Sequence, residues 1–191
     1  MVDDALGQLE YQKTLMINDL EKEKAQFEAT LDSYGEQLEE FKTLSDLNQL
    51  NKIVEKVDQM VNTLALAEES ANGLNERSEA FGWDRTEYHI LKKYNTDFEP
   101  IKKVWMMFSD FRNGQQQWLN ESFLQLDGKE VTEMVEGWWS SSYRLNKQLN
   151  STLPELAEVA QVLRAETTKF KEVLLLVEAL GQDSMKQRHW V

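Results

Sequence analysis

The sequence predicts an all-α protein, and two observations lead to this prediction. The 191 residues include only two prolines and eight glycines, too few to form the turns between the many short strands of a β-sandwich or barrel. Apolar residues recur at three- and four-residue spacing, which is the period of a helix face. No apolar run approaches the roughly 20 residues that span a bilayer, so we expect no transmembrane helix. We expect a long antiparallel helical hairpin followed by a Trp-rich helical bundle.

Charge and aromatic residues divide the chain into two predicted regions. The formal net charge is −13, which argues against a nucleic-acid groove or an anionic membrane as the working surface and leaves basic partners open. The chain has no cysteine, which excludes disulfides and fits a reducing, cytosolic compartment. Residues 1–80 carry 18 acidic and 7 basic side chains and no tryptophan, whereas residues 81–191 carry 16 and 14 and all six tryptophans. We predict an acidic, coiled-coil-like hairpin over 1–80 and a helical bundle over 81–191.

The hairpin is predicted from two amphipathic patterns. The first helix is expected over about residues 4–43 because apolar residues repeat on a seven-residue grid, with one interruption at Lys13. Gly35 lies inside this helix, where a glycine lowers helix stability by about 1 kcal/mol relative to alanine. It therefore indicates a weak point or a close approach of another helix. Ser45 or Asp46 is expected to cap the second helix, whose three- and four-residue spacing is typical of a paired seam.

The bundle is predicted from helix start and stop signals. Because proline removes a backbone donor, we expect a short helix over about residues 86–97, capped by Asp84 or Thr86, and a new helix that begins at Pro100. Asp127, followed three residues later by Glu130, is an acidic variant of the capping box and opens the next helix. The signals for the last helix are Ser151 or Thr152 with Pro154 at its start and Gly181 at its stop.

The adjacent residues Trp138 and Trp139 point about 100° apart on one helix, so both rings cannot face a single apolar stripe. Trp138 is in phase with Val131 and Val135 and is expected in the core. This leaves Trp139 for the edge of the bundle or for a partner. The alternative is a wide aromatic core in which different helices bury the two rings.

Motifs that carry chemistry are missing from the sequence. Neither histidine has a glutamate three residues before it, as a carboxylate di-metal bundle requires. The only Gly-Lys pair, Gly128-Lys129, has Phe123 where a phosphate-binding loop needs its first glycine. We therefore predict no catalytic, cofactor-binding or metal-binding residues in this chain.

A set of short strings from residue 81 onward carries a resemblance to a known family. The strings are Phe81-Gly82-Trp83, Glu99-Pro100, Leu126-Asp127, Trp138-Trp139, Tyr143-Arg144-Leu145, Ala179-Leu180 and Met185-Lys186-Gln187-Arg188-His189-Trp190, with Tyr88, Trp105, Trp118, Phe123 and Val131 between them. Together they resemble the dynein heavy chain of the axonemal type, in the region where the N-terminal tail meets the linker.

The resemblance implies a structural, non-enzymatic segment of a microtubule motor that connects the tail to the ATP-driven linker. ATP and Mg²⁺ then belong to the full-length motor, of which this chain is expected to be a fragment. The implied partners are the following linker segment and other dynein subunits, without nucleic acid or membrane. The implied location is the cytoskeleton of a ciliary or flagellar axoneme. The alternative is an independent helical rod or adaptor of the spectrin or plakin kind.

Five residues are predicted as interface candidates: Trp139, Met185, Arg188, His189 and Trp190. Met185, His189 and Trp190 present large side chains four or five residues apart, which is the spacing of one face of a helical turn. In the whole motor we expect this turn to be buried by the following linker helices and to act as a structural joint.

Overall fold

The computed structural model describes the backbone of residues 2–120 and 127–180 and the side chains of residues 4–120 and 127–174. Within these ranges it is all-α, as predicted, and contains no strand. The helices are α1 (Val2–Lys42), α2 (Leu50–Ala80), α3 (His89–Asn120), α4 (Gly128–Leu149) and α5 (Pro154–Leu180), with a 3₁₀ turn over Leu47–Gln49. The predicted cap Asp46 precedes this turn and accepts a hydrogen bond from the Asn48 backbone N–H at 3.0 Å.

The chain forms two compact units. Unit 1 comprises Met1–Glu40 and Asp58–Phe98, and unit 2 comprises Phe41–Val57 and Glu99–Val191. Both α2 and α3 therefore supply residues to each unit. The predicted domain boundary at residue 80, which was based on charge and aromatic content, stays a prediction.

Unit 1 has an apolar core supplied by three helices. Its buried apolar side chains are Leu20, Leu31 and Leu38 from α1, Met60, Leu64, Ala67, Ala71 and Leu74 from α2, and Leu91 and Phe98 from α3. Glu23 of α1 forms an ion pair with Arg77 of α2. The Phe27 ring meets the Tyr88 ring edge-on, with centroids 5.0 Å apart.

Gly35 is the site of a close approach within unit 1, one of the two outcomes expected for it. A Cβ atom at this position would overlap the hydroxyl oxygen of Tyr94 and lie 3.1 Å from its Cζ. The half-buried position of Tyr94 also raises the pKa of its hydroxyl, with a smaller contribution from Asp32. Glycine is therefore needed here for space, because its backbone is helical.

The string Phe81-Gly82-Trp83 ends α2 with a Schellman motif. Gly82 has φ +78°, a left-handed conformation that glycine adopts without the steric penalty of a Cβ. Its N–H donates to the Glu79 carbonyl at 2.9 Å, and the Trp83 N–H donates to the Ser78 carbonyl at 3.0 Å. These two bonds satisfy carbonyl groups that the helix end would otherwise leave unpaired.

Asn75 holds the connection between α2 and α3 in place. Its side-chain amide donates to the Thr86 carbonyl at 3.0 Å and accepts from the Thr86 N–H at 2.8 Å. The residue is buried, so both bonds are shielded from water. No pattern in the sequence indicated this role, because the two residues belong to different segments.

The predicted break before Pro100 is wrong, since α3 runs from His89 to Asn120 with Pro100 inside it. Proline in a helix interior costs about 3 kcal/mol, through a lost hydrogen bond and steric crowding. The residues that follow offset this cost, because Ile101, Val104 and Trp105 are almost fully buried. Each such side chain contributes about 1.5–3 kcal/mol. Tertiary burial therefore overrides the local signal.

The helix ends of unit 2 follow the sequence signals more closely. Asp127 caps α4, as predicted, and accepts hydrogen bonds from the backbone N–H groups of Lys129 at 2.9 Å and Glu130 at 3.2 Å. The last helix begins at Pro154, as expected, but the residue directly before it is Leu153, whose carbonyl accepts from the Ala157 N–H, and not the predicted Ser151 or Thr152. The expected stop at Gly181 lies outside the described residues.

Candidate interface site

The candidate site occupies unit 2, where α3, α4 and α5 meet through aromatic rings. Trp138 of α4 packs edge-on against Phe111 at 5.8 Å between centroids and lies 5.9 Å from Trp118, both on α3. Phe170 of α5 stacks on Trp118 at 5.6 Å and meets Phe111 at 6.1 Å. Each ring pair adds about 0.5–1.5 kcal/mol beyond its area burial. We call these four residues the aromatic cluster.

Gly114 makes room for the aromatic cluster. A Cβ atom on this residue would lie 3.1 Å from Cη2 of Trp118 and 3.3 Å from Cη2 of Trp138. Both distances are shorter than ordinary van der Waals contacts, so any larger side chain displaces the rings. The two tryptophans thus depend on a glycine that no sequence motif singled out.

Trp139 is held by residues of α5. Its indole N–H donates to the Thr168 hydroxyl oxygen at 3.0 Å. The guanidinium carbon of Arg164 lies 5.1 Å from the ring centroid and the Lys171 ammonium lies 4.6 Å from it. Both tryptophans are half-buried, each against a different helix. Different helices thus cover the two rings, but neither ring is fully buried, and the partner role of Trp139 stays a prediction.

Trp139 belongs to a ladder of alternating cations and rings across α4 and α5. Arg164 also lies over the Tyr143 ring at 4.2 Å, and Lys147 lies over the same ring at 4.5 Å. The order is Lys147, Tyr143, Arg164, Trp139 and Lys171, and we call this set the cation–aromatic ladder. Exposed cation–aromatic contacts are worth about 0.5–1 kcal/mol each, so the ladder holds α5 to α4 along its length.

The ladder places three positive charges, those of Lys147, Arg164 and Lys171, around two aromatic rings. The hydrogen bond and the charge of Lys147, with a smaller contribution from Arg164, lower the pKa of the Tyr143 hydroxyl. One carboxylate is close, since Glu136 lies 3.4 Å from Lys171. On the other face of α5, Arg112 of α3 pairs with Glu166 at 2.8 Å. The three helices are therefore joined by ionic contacts as well as by rings.

The other predicted interface residues cannot be placed in this geometry. Met185, Arg188, His189 and Trp190 lie outside the described residues, and Trp139 is the one candidate whose contacts are known. Sequence reasoning missed Arg164 and Lys171, which cover the Trp139 ring. Their seven-residue spacing, with Thr168 between them, places all three on one face of α5 and was a signal for this contact.

The part of the chain that the structure describes shows neither a metal-binding cluster nor a membrane-spanning helix. No group of three or more His, Cys, Asp or Glu side chains among them is arranged to hold a metal ion. Over its described residues, no helix is long and apolar enough to cross a membrane.

Comparisons with known proteins identify relatives of this chain. The family model described as "Dynein heavy chain, N-terminal region 2" matches residues 91–191. The chain is 23% identical to dynein axonemal heavy chain 3 of Mus musculus over 174 residues, which cover 90% of this chain and 4% of that protein. It is 23% identical to dynein axonemal heavy chain 1 of Rattus norvegicus over 192 residues, covering 97% of this chain and 4% of the relative. No solved structure matches the chain significantly.

The family match decides between the two alternatives that the sequence left open, a dynein segment and an independent rod or adaptor. It covers more than half of the chain and includes most of α3 and all of α4 and α5. The aromatic cluster and the cation–aromatic ladder both lie inside the matched range. This chain, which spans only about 4% of the length of these relatives, belongs to the dynein heavy chain family, N-terminal region 2.

Proposed function

We propose that this chain is a structural and mechanical segment of an axonemal dynein heavy chain, connecting the tail to the ATP-driven linker of a microtubule motor. In this proposal its place is the axoneme of a cilium or flagellum, and its partners are the following linker segment and other dynein subunits. The axonemal names of the relatives support this location. ATP and Mg²⁺ act elsewhere in the full-length motor.

The observation that carries the proposal is the aromatic cluster. Phe111, Trp118, Trp138 and Phe170 join α3, α4 and α5 through four ring contacts. Close-packed interiors have low compressibility and transmit strain. A displacement applied to one of these helices therefore moves the others with it, which is the property that a connecting segment needs.

A substitution in the cluster tests this mechanical role in the full-length motor. Trp138→Ala removes the ring that contacts both Phe111 and Trp118, and we expect a stability loss of about 2 kcal/mol because the side chain is only half-buried. Gliding velocity of the motor on microtubules should fall, while basal ATPase activity should be retained. Met134→Ala, at an exposed position of the same helix, is the matched control.

The outcome is read together with a stability measurement on residues 1–191. If Trp138→Ala lowers the unfolding temperature of these residues but leaves gliding velocity at the Met134→Ala value, the mechanical proposal is wrong. If both gliding and basal ATPase collapse equally, the segment acts on the ring and not on coupling, which also contradicts the proposal.

The C-terminal joint is a second part of the proposal. We expect Trp190→Ala in the full-length motor to weaken coupling between tail and linker, with reduced gliding velocity and little loss of basal ATPase activity. Unchanged gliding would remove this joint hypothesis.

Residues 1–191 alone are expected neither to hydrolyse ATP nor to bind microtubules, because the chain lacks a phosphate-binding loop and its net charge of −13 opposes an acidic surface. Nucleotide-dependent pelleting with microtubules would contradict this.

A further inference from the structure

Within unit 2, α4 and α5 are antiparallel. Their contacts join residues in opposite chain order. The Asn146 side-chain amide donates to the Ala157 carbonyl at 2.8 Å, and earlier in α4 the Trp139 indole N–H donates to Thr168, later in α5.

Helix α3 is instead parallel to α5. Arg112 pairs with Glu166, and further along both helices the Trp118 ring stacks on the Phe170 ring. The three helices thus run up, down and up. In an up-down-up-down bundle the first and third helices are diagonal to each other, and the fourth helix lies between them on the side away from the second.

An open groove of about 350 Å³ lies between α3 and α5. It is lined by Arg112, Gln115, Glu166, Lys169, Phe170 and Val173. None of the described residues of α4 is among them. The α5 residues that meet α4, Arg164, Thr168 and Lys171, lie on a different face of that helix. The groove therefore occupies the position of a fourth helix.

The faces of α3 and α5 that border this position are covered in their first halves and open in their second halves. On α3, Phe108 is fully buried, whereas Leu119, about three helical turns later on the same face, is 70% exposed. On α5, Val159 is almost fully buried, whereas Val173, two heptads later, is 42% exposed. The described residues of unit 2 thus leave apolar side chains uncovered where the groove lies.

The sequence at the end of α5 indicates a further neighbour. Residues 173–177 are five consecutive apolar residues, and a helix that is apolar all round is typical of one covered from several sides. The described helix ends at Leu180, directly before the predicted stop at Gly181. Because glycine at a helix end allows the chain to reverse, the chain that follows is expected to return along α5.

The connection between α4 and α5 gives the scale of such a return. Asn146, three residues before the end of α4, contacts Ala157, three residues after the first residue of α5. After Leu180, a similar connection of about two to four residues would place Trp190 about five to seven residues into the returning helix. Trp190 would then lie opposite residues 173–175, at the end of the groove that Val173 lines.

We propose that the groove between α3 and α5 is the docking site for residues 182–191 of this chain, with the Trp190 ring seated against Val173. The inference rests on the joint proposed above, in which Trp190 is the packing residue, and it names the surface that receives this joint. A tryptophan suits an open groove of this size because its ring buries about 150–250 Å² of surface. The other faces of the returning turn are left for the following linker segment.

Fluorescence quenching within residues 1–191 tests the contact. Because the chain has no cysteine, a single thiol can be introduced and labelled. Val173→Cys is labelled with bimane, a fluorophore that tryptophan quenches on contact. Val162→Cys is the matched control, since Val162 is another exposed valine of α5 and lies about 16 Å earlier along the helix.

Trp190→Phe keeps an aromatic ring for docking and removes the quencher. We expect it to raise the bimane emission at position 173 at least twofold and to leave the emission at position 162 unchanged. Equal emission at position 173 with and without Trp190 would overturn the proposal. An equal rise at both positions would also overturn it, because Trp190 would then touch the surface without preference for the groove.

A mixing experiment identifies whose Trp190 occupies the groove. Labelled Val173→Cys/Trp190→Phe is mixed with an excess of the unlabelled native chain. We expect no quenching in the mixture, because the site is filled within one chain. Quenching that dilution removes would make a second copy the occupant and would contradict the proposal.

The gliding assay of Trp190→Ala separates this contact from the mechanical joint. Reduced gliding without quenching at position 173 would overturn docking in the groove and keep the joint. Quenching at position 173 with unchanged gliding would support the contact and remove its mechanical role.

Discussion

The close approach at Gly35 allows a test in which one substitution has opposite effects in two backgrounds. Replacing glycine by alanine inside a helix stabilises it by about 1 kcal/mol. At Gly35 the new methyl group would overlap the Tyr94 hydroxyl, and overpacking of this kind costs about 1–3 kcal/mol. We therefore expect Gly35→Ala to lower the free energy of unfolding by about 1 kcal/mol in the native sequence.

The same substitution should be stabilising once the obstacle is removed. In a Tyr94→Ala background, Gly35→Ala should raise the free energy of unfolding by about 1 kcal/mol, so the coupling energy of the double-mutant cycle is about 2 kcal/mol. Gly73→Ala in α2 is the matched control, because a Cβ there meets nothing within 4 Å. It should stabilise by about 1 kcal/mol in either background.

Urea unfolding at 25 °C, followed by far-ultraviolet circular dichroism, measures all of these values. The m-value should stay constant across the cycle if only native-state packing changes. If Gly35→Ala stabilises the native sequence as much as Gly73→Ala does, the contact between Gly35 and Tyr94 does not exist in solution. A coupling energy near zero would refute the steric reasoning in the same way.

Four further predictions concern unit 1 and the ladder. Gly82→Ala should lower the free energy of unfolding by about 1 kcal/mol and the melting temperature by about 2–4 °C, because its φ of +78° disfavours a Cβ; no change in a thermal scan would contradict the Schellman end. Asn75→Ala should lower it by about 2 kcal/mol, because it deletes both bonds to Thr86; a loss below 0.5 kcal/mol in urea unfolding, on the order of a typical surface substitution, would refute this. Burial, and to a smaller extent the charge of Glu28, raises the pKa of Tyr88 above its ordinary value of 10.0. The stability that this gives is fully present below pH 10.0 and is lost as the pH rises through the pKa of the folded state. Tyr88→Phe should reduce this loss of stability at high pH. The pKa of Tyr143 should instead lie below 10.0. The difference between the ultraviolet titrations of the native chain and of Tyr143→Phe measures this pKa, and Lys147→Met should raise it.

Features that depend on neighbouring residues in the chain were predicted from the sequence. The all-α class follows from apolar periodicity, and the cap at Asp127 follows from an acidic side chain placed before a helical run. Both rest on interactions within one or two helical turns, which a linear pattern records. Gly35 was recognised as exceptional for the same reason, although the sequence left open whether it marked weakness or contact.

Pro100 shows where local reasoning fails. The proline penalty is a property of one turn, and the sequence alone predicted a helix start at this residue. The burial of Trp105 and its neighbours is a property of the whole unit, and it outweighs that penalty. A local signal of about 3 kcal/mol is decisive only where tertiary contacts are weaker than the signal.

The candidate site divides along the same line. The sequence by itself determined that Trp138 and Trp139 face different directions, because successive helical residues are separated by a fixed angle. Only the tertiary structure decided that Trp138 meets the rings of α3 while Trp139 meets Thr168 and two cations of α5. Helical period fixes the face on which a side chain lies, but the helix that covers that face is chosen by packing among segments far apart in the chain. No local pattern encodes that choice.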